Sequence, residues 1–204
     1  MAVLSGLSDD QSLIDACRRG QTEAYGVLVN RYQDRLYPTV LRLAGSAEDA
    51  QDLLQETFLR AYQKLGHFHG ESSFFTWVYR IAVNLALSSR RRRRPDSRAL
   101  GGLDARAVES AADTRETDPA LPLERAERER IIQKALNALA ADHRAVVVLK
   151  EFDGLRYEEI GAILGIPVGT VRSRLHRARC ELRASLRGLV DEQVPARHGP
   201  LEPD

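Results

Sequence analysis

A cluster of arginines dominates the C-terminal part of the chain. Arg172, Arg174, Arg177, Arg179, Arg183 and Arg187 are opposed locally only by Glu181. They follow Tyr157-Glu-Glu-Ile-Gly-Ala-Ile-Leu-Gly-Ile-Pro-Val-Gly-Thr-Val, which reads as a helix, a tight turn and a second helix. Ile160, Leu164, Ile166 and Val171 would close its small core. Gly161 lets the helices approach, and Gly165 supplies a turn where positive φ is cheap. The second helix of such a motif lies in the major groove, with side chains near its start reaching base edges. Arg172, Ser173, His176 and Arg177 fall on the outward side, across from Val171 and Leu175. Thr170 and its neighbouring amides lie at the helix N-terminus, where phosphate is favoured. A helical hairpin with a solvated basic face is the alternative; turn pattern and charge together favour DNA.

Two further clusters lie near the N-terminus. Glu48, Asp49, Asp52 and Glu56 have no base among them, and the last three share a helical face at i, i+3, i+7. That spacing suits a solvated surface with favourable charge at a helix start, or a dock for a basic protein; periodicity does not choose. Phe68, Phe74, Phe75, Trp77 and Tyr79 follow, with the chain's single Trp. Phe75, Val78, Ala82 and Leu85 fit an inner stripe, whereas Trp77, Arg80, Asn84 and Ser88 fall on another face. A ring, a cation and an amide side by side suit single-stranded nucleic acid. Trp77 as ordinary core is the competing reading. Arg90 to Arg94 project around a helix end, either as a phosphate-attracting patch or as charge complementing the helix dipole.

The elements that carry these groups read as all-α: two small helical domains joined by a flexible linker. Over 11–94, Ala24, Leu28, Tyr32, Leu36 and Val40 recur every four residues. Ser46 caps the next helix, whose inner side holds Leu53, Leu54, Phe58, Ala61, Tyr62 and Leu65. A loop over 66–73 precedes the aromatic helix. Residues 95–123 hold Gly101-Gly102, Pro119 and Pro122 and an excess of acids without periodicity, a linker too long for the inside of one domain. Residues 124–189 are helical again, with Ile131, Ile132, Ala135, Leu136 and Leu139 on one face. Residues 190–204 read as a frayed tail.

The bulk numbers hide this segregation. The 204 residues carry 30 Lys+Arg against 29 Asp+Glu, a formal charge of +1, and the pI near 7.9 falls short of a wholly basic nucleic-acid domain. Two cysteines exclude a disulfide framework or a four-ligand structural zinc site. The N-terminal residues lack the pattern of a secretory signal, and no apolar run reaches a membrane span. No nucleophile–base pair, phosphate-cradling glycine loop or metal-ligand cluster appears. The expectation is a cytoplasmic protein that is not an enzyme.

Three blocks resemble those of the bacterial sigma factors of the extracytoplasmic-function (ECF) type, within the sigma-70 family. They are Asp52-Leu-Leu-Gln-Glu-Thr-Phe58, Phe74-Phe-Thr-Trp-Val-Tyr-Arg-Ile-Ala-Val-Asn84, and Tyr157-Glu-Glu-Ile-Gly through Val168-Gly-Thr-Val-Arg-Ser-Arg174. The resemblance implies that Asp49, Asp52, Leu53, Gln55, Glu56 and Phe58 dock on the clamp region of core RNA polymerase. It implies that Phe68, Gly70, Glu71 and Ser72, with Trp77, Arg80 and Asn84, recognise and open the −10 promoter element, the loop holding a flipped-out base. Thr170, Arg172, Ser173, His176 and Arg177 would read the −35 element. It further implies control by an anti-sigma factor; from the residues themselves no membrane insertion and no cofactor or metal are expected.

Overall fold

The computed structural model describes residues 9–93 and 120–193, with no strand among them. The first half holds α1 (Asp10–Arg18), α2 (Thr22–Ala44), α3 (Ala47–Gln63) and α4 (Phe74–Arg93). The second holds α5 (Ala120–Ala138), α6 (Ala141–Val147), α7 (Tyr157–Leu164) and α8 (Val168–Gln193).

The four-residue period on α2 organises the first half. Ala24, Leu28, Tyr32, Leu36 and Val40 are all buried, and α1, α3 and α4 pack on that stripe. Each such leucine contributes about 1.5–3 kcal/mol through burial. Ser46 Oγ accepts the Asp49 amide at 3.2 Å and starts α3. Phe58, Ala61 and Leu65 face inward as the spacing predicts. Tyr62 does not; it is exposed, with its ring tilted against Tyr25 at 4.9 Å. A 3₁₀ turn over Leu65–His67 leads into the loop 68–73, and Ser73 Oγ accepts the Thr76 amide at 3.1 Å to start α4.

In the second half, α5 begins at Ala120, so residues 120–123 belong to a helix rather than to the linker. Pro122 falls in its first turn, where a missing N–H is no loss. The rest of the expected linker, 95–119, lies outside the described residues, as do Arg94 and 194–204. Helix α8 extends to Gln193, beyond the expected start of the tail. Val146, Val147, Val148 and Leu149 run from α6 into a π-helical turn, Val148–Phe152, and all four are completely buried. Burial there outweighs the poor helix propensity of β-branched residues.

The sequence predicts two bundles on a tether; the structure seats one against the other. Helix α4 packs on α6 and α7, and α2 packs on α6 and the π-turn. Asp153 forms the polar centre of the contact. Thr39 Oγ1 donates to its Oδ1 at 2.9 Å and the Tyr79 hydroxyl to its Oδ2 at 2.5 Å. Burial, and then the carboxylate itself, pushes the Tyr79 hydroxyl far above the usual phenol range, so it stays a donor. Nearby, the last carbonyls of α2, which a helix leaves unpaired, collect donors. Arg90 Nη1 donates to Leu43 O and Ala44 O at 3.3 and 3.0 Å. Arg144 Nη1 reaches Leu43 O at 3.3 Å, and Asn137 Nδ2 reaches Gly45 O at 3.0 Å. Arg144 is fully buried, and its Nε and Nη2 find no partner among the described residues.

Candidate functional site

Three surfaces bear the sequence-predicted groups. The first is built by α7 and α8. Arg156 N–H donates to the Glu159 carboxylate at 2.7 Å and opens α7; Gly165 closes it at φ +66°. Ile160, Ile163, Val171, Leu175 and Ala178 form the buried seam, with Ile163 rather than the half-exposed Leu164 pointing in. Gly161 is needed for a reason sharper than helix crossing: a Cβ there would lie 2.8 Å from the Ile166 carbonyl oxygen. Gly161→Ala is therefore expected to force the turn outward at a cost of about 1–3 kcal/mol, seen as a lower calorimetric melting temperature.

On the outer side of α8, Arg172, Ser173, His176 and Arg177 are all exposed. Arg172 sits 5.7 Å over the Tyr157 ring, which steadies it near the helix start. Thr170 departs from expectation. It is half-buried, and its amide already donates to Pro167 O at 2.9 Å, so that amide is not open to phosphate. The basic helix is also less uniformly basic than its sequence. Arg174 pairs with Asp142 at 3.1 Å and Arg179 with Glu151 at 2.6 Å, both acids lying outside α8. These part-exposed pairs add little stability, but they draw two cations to the inner flank. Arg172 and Arg177 make no ion pair among the described residues.

The second surface is the acidic face of α3. Asp52 and Gln55 are exposed; Asp49, Leu53 and Glu56 are half-exposed. Glu56 is not bare carboxylate, since Arg60 one turn on holds it at 2.6 Å. Phe58 has to be removed from this surface. It is buried against the core, and its carbonyl accepts the Tyr25 hydroxyl at 2.5 Å. Leu59, seven residues after Asp52 and 54% exposed, takes the outward position instead. The heptad spacing from Asp52 could have found it.

The third surface is the loop 68–73 with the outer side of α4. Gly70, Glu71, Arg80 and Asn84 are exposed and Ser72 is half-exposed. Phe68 is a second correction. Its ring is buried, edge-on to Phe74 at 6.0 Å and tilted on Trp77 at 5.2 Å, because a short loop carrying a phenyl ring beside an aromatic cluster buries it. Trp77 lies between its two readings, half-buried on Phe68 and Phe74. Phe74 rather than Phe75 is the fully inward ring; Phe75 carries the Arg35 guanidinium 4.0 Å over its face. Of the arginine run, Arg90 turns inward to α2, and the side chains of 91–94 lie outside those described. Sequence reasoning also missed Arg18 of α1, which donates to carbonyls at the base of the loop. Among the described residues no three His, Cys, Asp or Glu gather as metal ligands, and no helix is long and apolar enough to cross a membrane.

Residues 28–95 match the family model for sigma-70 region 2, and residues 129–182 that for sigma-70 region 4. The RNA polymerase sigma-H factor of Pseudomonas aeruginosa is 39% identical over 90% of this chain and 96% of its own. The ECF RNA polymerase sigma-E factor of Escherichia coli K12 is 40% identical over 83% of this chain and 90% of its own. The chain belongs to the ECF sigma factors of the sigma-70 family. As such it is a transcription initiation factor and not an enzyme. Region 2 of this sigma factor spans most of α2 through α4, and region 4 spans α5 into α8; α1 precedes both. Two solved structures share its fold. A sigma factor RpoE of Bartonella quintana, in complex with the anti-sigma factor NepR, has a TM-score of 0.57 and 28% identity, covering 79% of this chain and 93% of that one. CnrH, in complex with the cytosolic domain of CnrY, has a TM-score of 0.57 and 27% identity, covering 91% and 99%.

Proposed function

We propose that this sigma factor engages core RNA polymerase through the acidic face of α3, opens the −10 element with the loop 68–73 and the outer side of α4, and reads the −35 element with α8. The observation that carries this reading is the placement of Arg172, Ser173, His176 and Arg177, exposed together at the start of the second helix of a helix-turn-helix. Asp52, Gln55, Glu56 and Leu59 supply the docking face: carboxylates for a basic partner and one apolar anchor. Trp77, Arg80 and Asn84 line the side of α4 that would meet unpaired bases and backbone. The site of action is the bacterial cytoplasm, where the polymerase and its promoters are. An anti-sigma factor holds it inactive, a reading supported by the solved complex of the Bartonella quintana sigma factor RpoE with the anti-sigma factor NepR.

Reconstituted transcription with core polymerase on a randomised promoter library, read by sequencing, tests this. The expected result is start sites preceded by one −35 and one −10 motif. Absence of binding to core polymerase would leave a plain helix-turn-helix regulator. Arg177→Ala is expected to relax selection at one −35 base pair by about 1–3 kcal/mol; even weakening on all sequences would place Arg177 on phosphate instead.

A further inference from the structure

We propose that Arg18, on the helix ahead of region 2, is the positioning residue of the promoter-opening loop. The inference rests on reading 68–73 as the −10 segment. Leu13, Ile14, Ala16 and Cys17 bury one side of α1 and fix the place where it ends. From there Arg18 crosses to the loop. Its Nη2 donates to the Leu65 carbonyl at 3.3 Å and to the Phe68 carbonyl, while Nη1 lies 3.5 Å from Asp15 Oδ1. The Leu65 carbonyl also closes the 3₁₀ turn by accepting Phe68 N–H at 3.2 Å. The Phe68 carbonyl is the first of the loop proper.

That second contact sets the loop's direction. The carbonyl of Phe68 and the amide of His69 share one rigid plane. With the Phe68 ring held by Phe74 and Trp77 and its carbonyl held by Arg18, the angle at which the chain leaves the core is fixed. At the far end, Ser73 is held as the cap of α4. His69, Gly70, Glu71 and Ser72 therefore hang between two anchors, turning at Gly70 with φ +77°. A loop that must receive a flipped-out base gains from being held in shape beforehand. The two arms of the guanidinium have separate tasks: Nη2 meets both carbonyls while Nη1 faces Asp15, and an ammonium does not reproduce that fork.

The test uses holoenzyme assembled from core polymerase and the full chain, carrying Arg18→Ala or Arg18→Lys. Permanganate reactivity of −10 thymines reports strand opening on a selected promoter and on −10 variants of it. Arg18→Ala is expected to lower opening and −10 selectivity about 10- to 100-fold, the scale of a misplaced contact. Affinity for core and the −35 footprint should stay unchanged, and Arg18→Lys should lie nearer to Arg18→Ala than to wild type. Wild-type opening by Arg18→Ala would overturn the proposal. Full rescue by Arg18→Lys would overturn the two-armed guanidinium bridge, since a single nitrogen donor would then suffice. Equal loss of core binding and −35 protection would make Arg18 a general support of the fold. Glu71→Ala combined with Ser72→Ala separates the two levels: if that pair leaves −10 selectivity intact, the reading of the loop itself fails, whatever Arg18 does.

Discussion

Asp52→Arg should abolish transcription from every promoter while leaving the chain folded. Asp52 is exposed on α3 and makes no described ion pair, so its replacement costs the fold no more than about 0.5 kcal/mol. On the docked surface the same change converts an attraction into a repulsion. Removing one member of a desolvated charge pair already costs about 2–5 kcal/mol, and reversal adds to that. Affinity for core should fall by at least about 100-fold. Titration of labelled core polymerase reads this directly, with circular dichroism as the control for folding. The −35 surface is formed by other helices, so weak binding of the full chain to −35 duplex should persist. Loss of both activities would contradict the assignment of docking to α3 and DNA reading to α8. Normal core affinity would remove Asp52 from the interface.

The second large effect concerns the contact between the halves. Asp153→Ala takes away the acceptor shared by Thr39 and Tyr79 and leaves two hydroxyls unanswered in a closely packed interface. Hydrogen bonds to a charged group contribute roughly 1.5–3 kcal/mol each. Asp153 is half-exposed, so the combined loss should be about 2–3 kcal/mol, near a 100-fold shift from joined to separated halves. Small-angle X-ray scattering of the free protein should show a larger radius of gyration with unchanged helicity. An unaltered scattering curve would mean that the apolar packing of α4 on α6 and α7 holds the halves without Asp153.

The residues show which parts of this arrangement are legible in sequence. Local periodicity is: the stripe from Ala24 to Val40, the Ser46 cap and the turn at Gly165 depend on neighbours within a few positions, and each is found where the spacing puts it. The outward set on α8 follows from the same arithmetic. Phe58 is buried where its spacing puts it, and only the family resemblance sets it on the docking face; the burial of Phe68 depends instead on rings of a separate element, Phe74 and Trp77. The acids that claim Arg174 and Arg179 lie outside α8, where no helical period reaches. The meeting of Asp153 with Thr39 joins residues more than a hundred positions apart, and the Asp153-Gly154 pair reads locally as nothing more than a turn.

Arg144 gives that meeting an unusual character. Sealed between the halves, with two of its nitrogens unanswered among the described residues, the guanidinium is worse solvated there than in water. A partner that prises the halves apart returns it to its hydration shell, recovering part of the work of separation. The guanidinium thus subtracts from what the apolar packing of the two halves contributes to their joining.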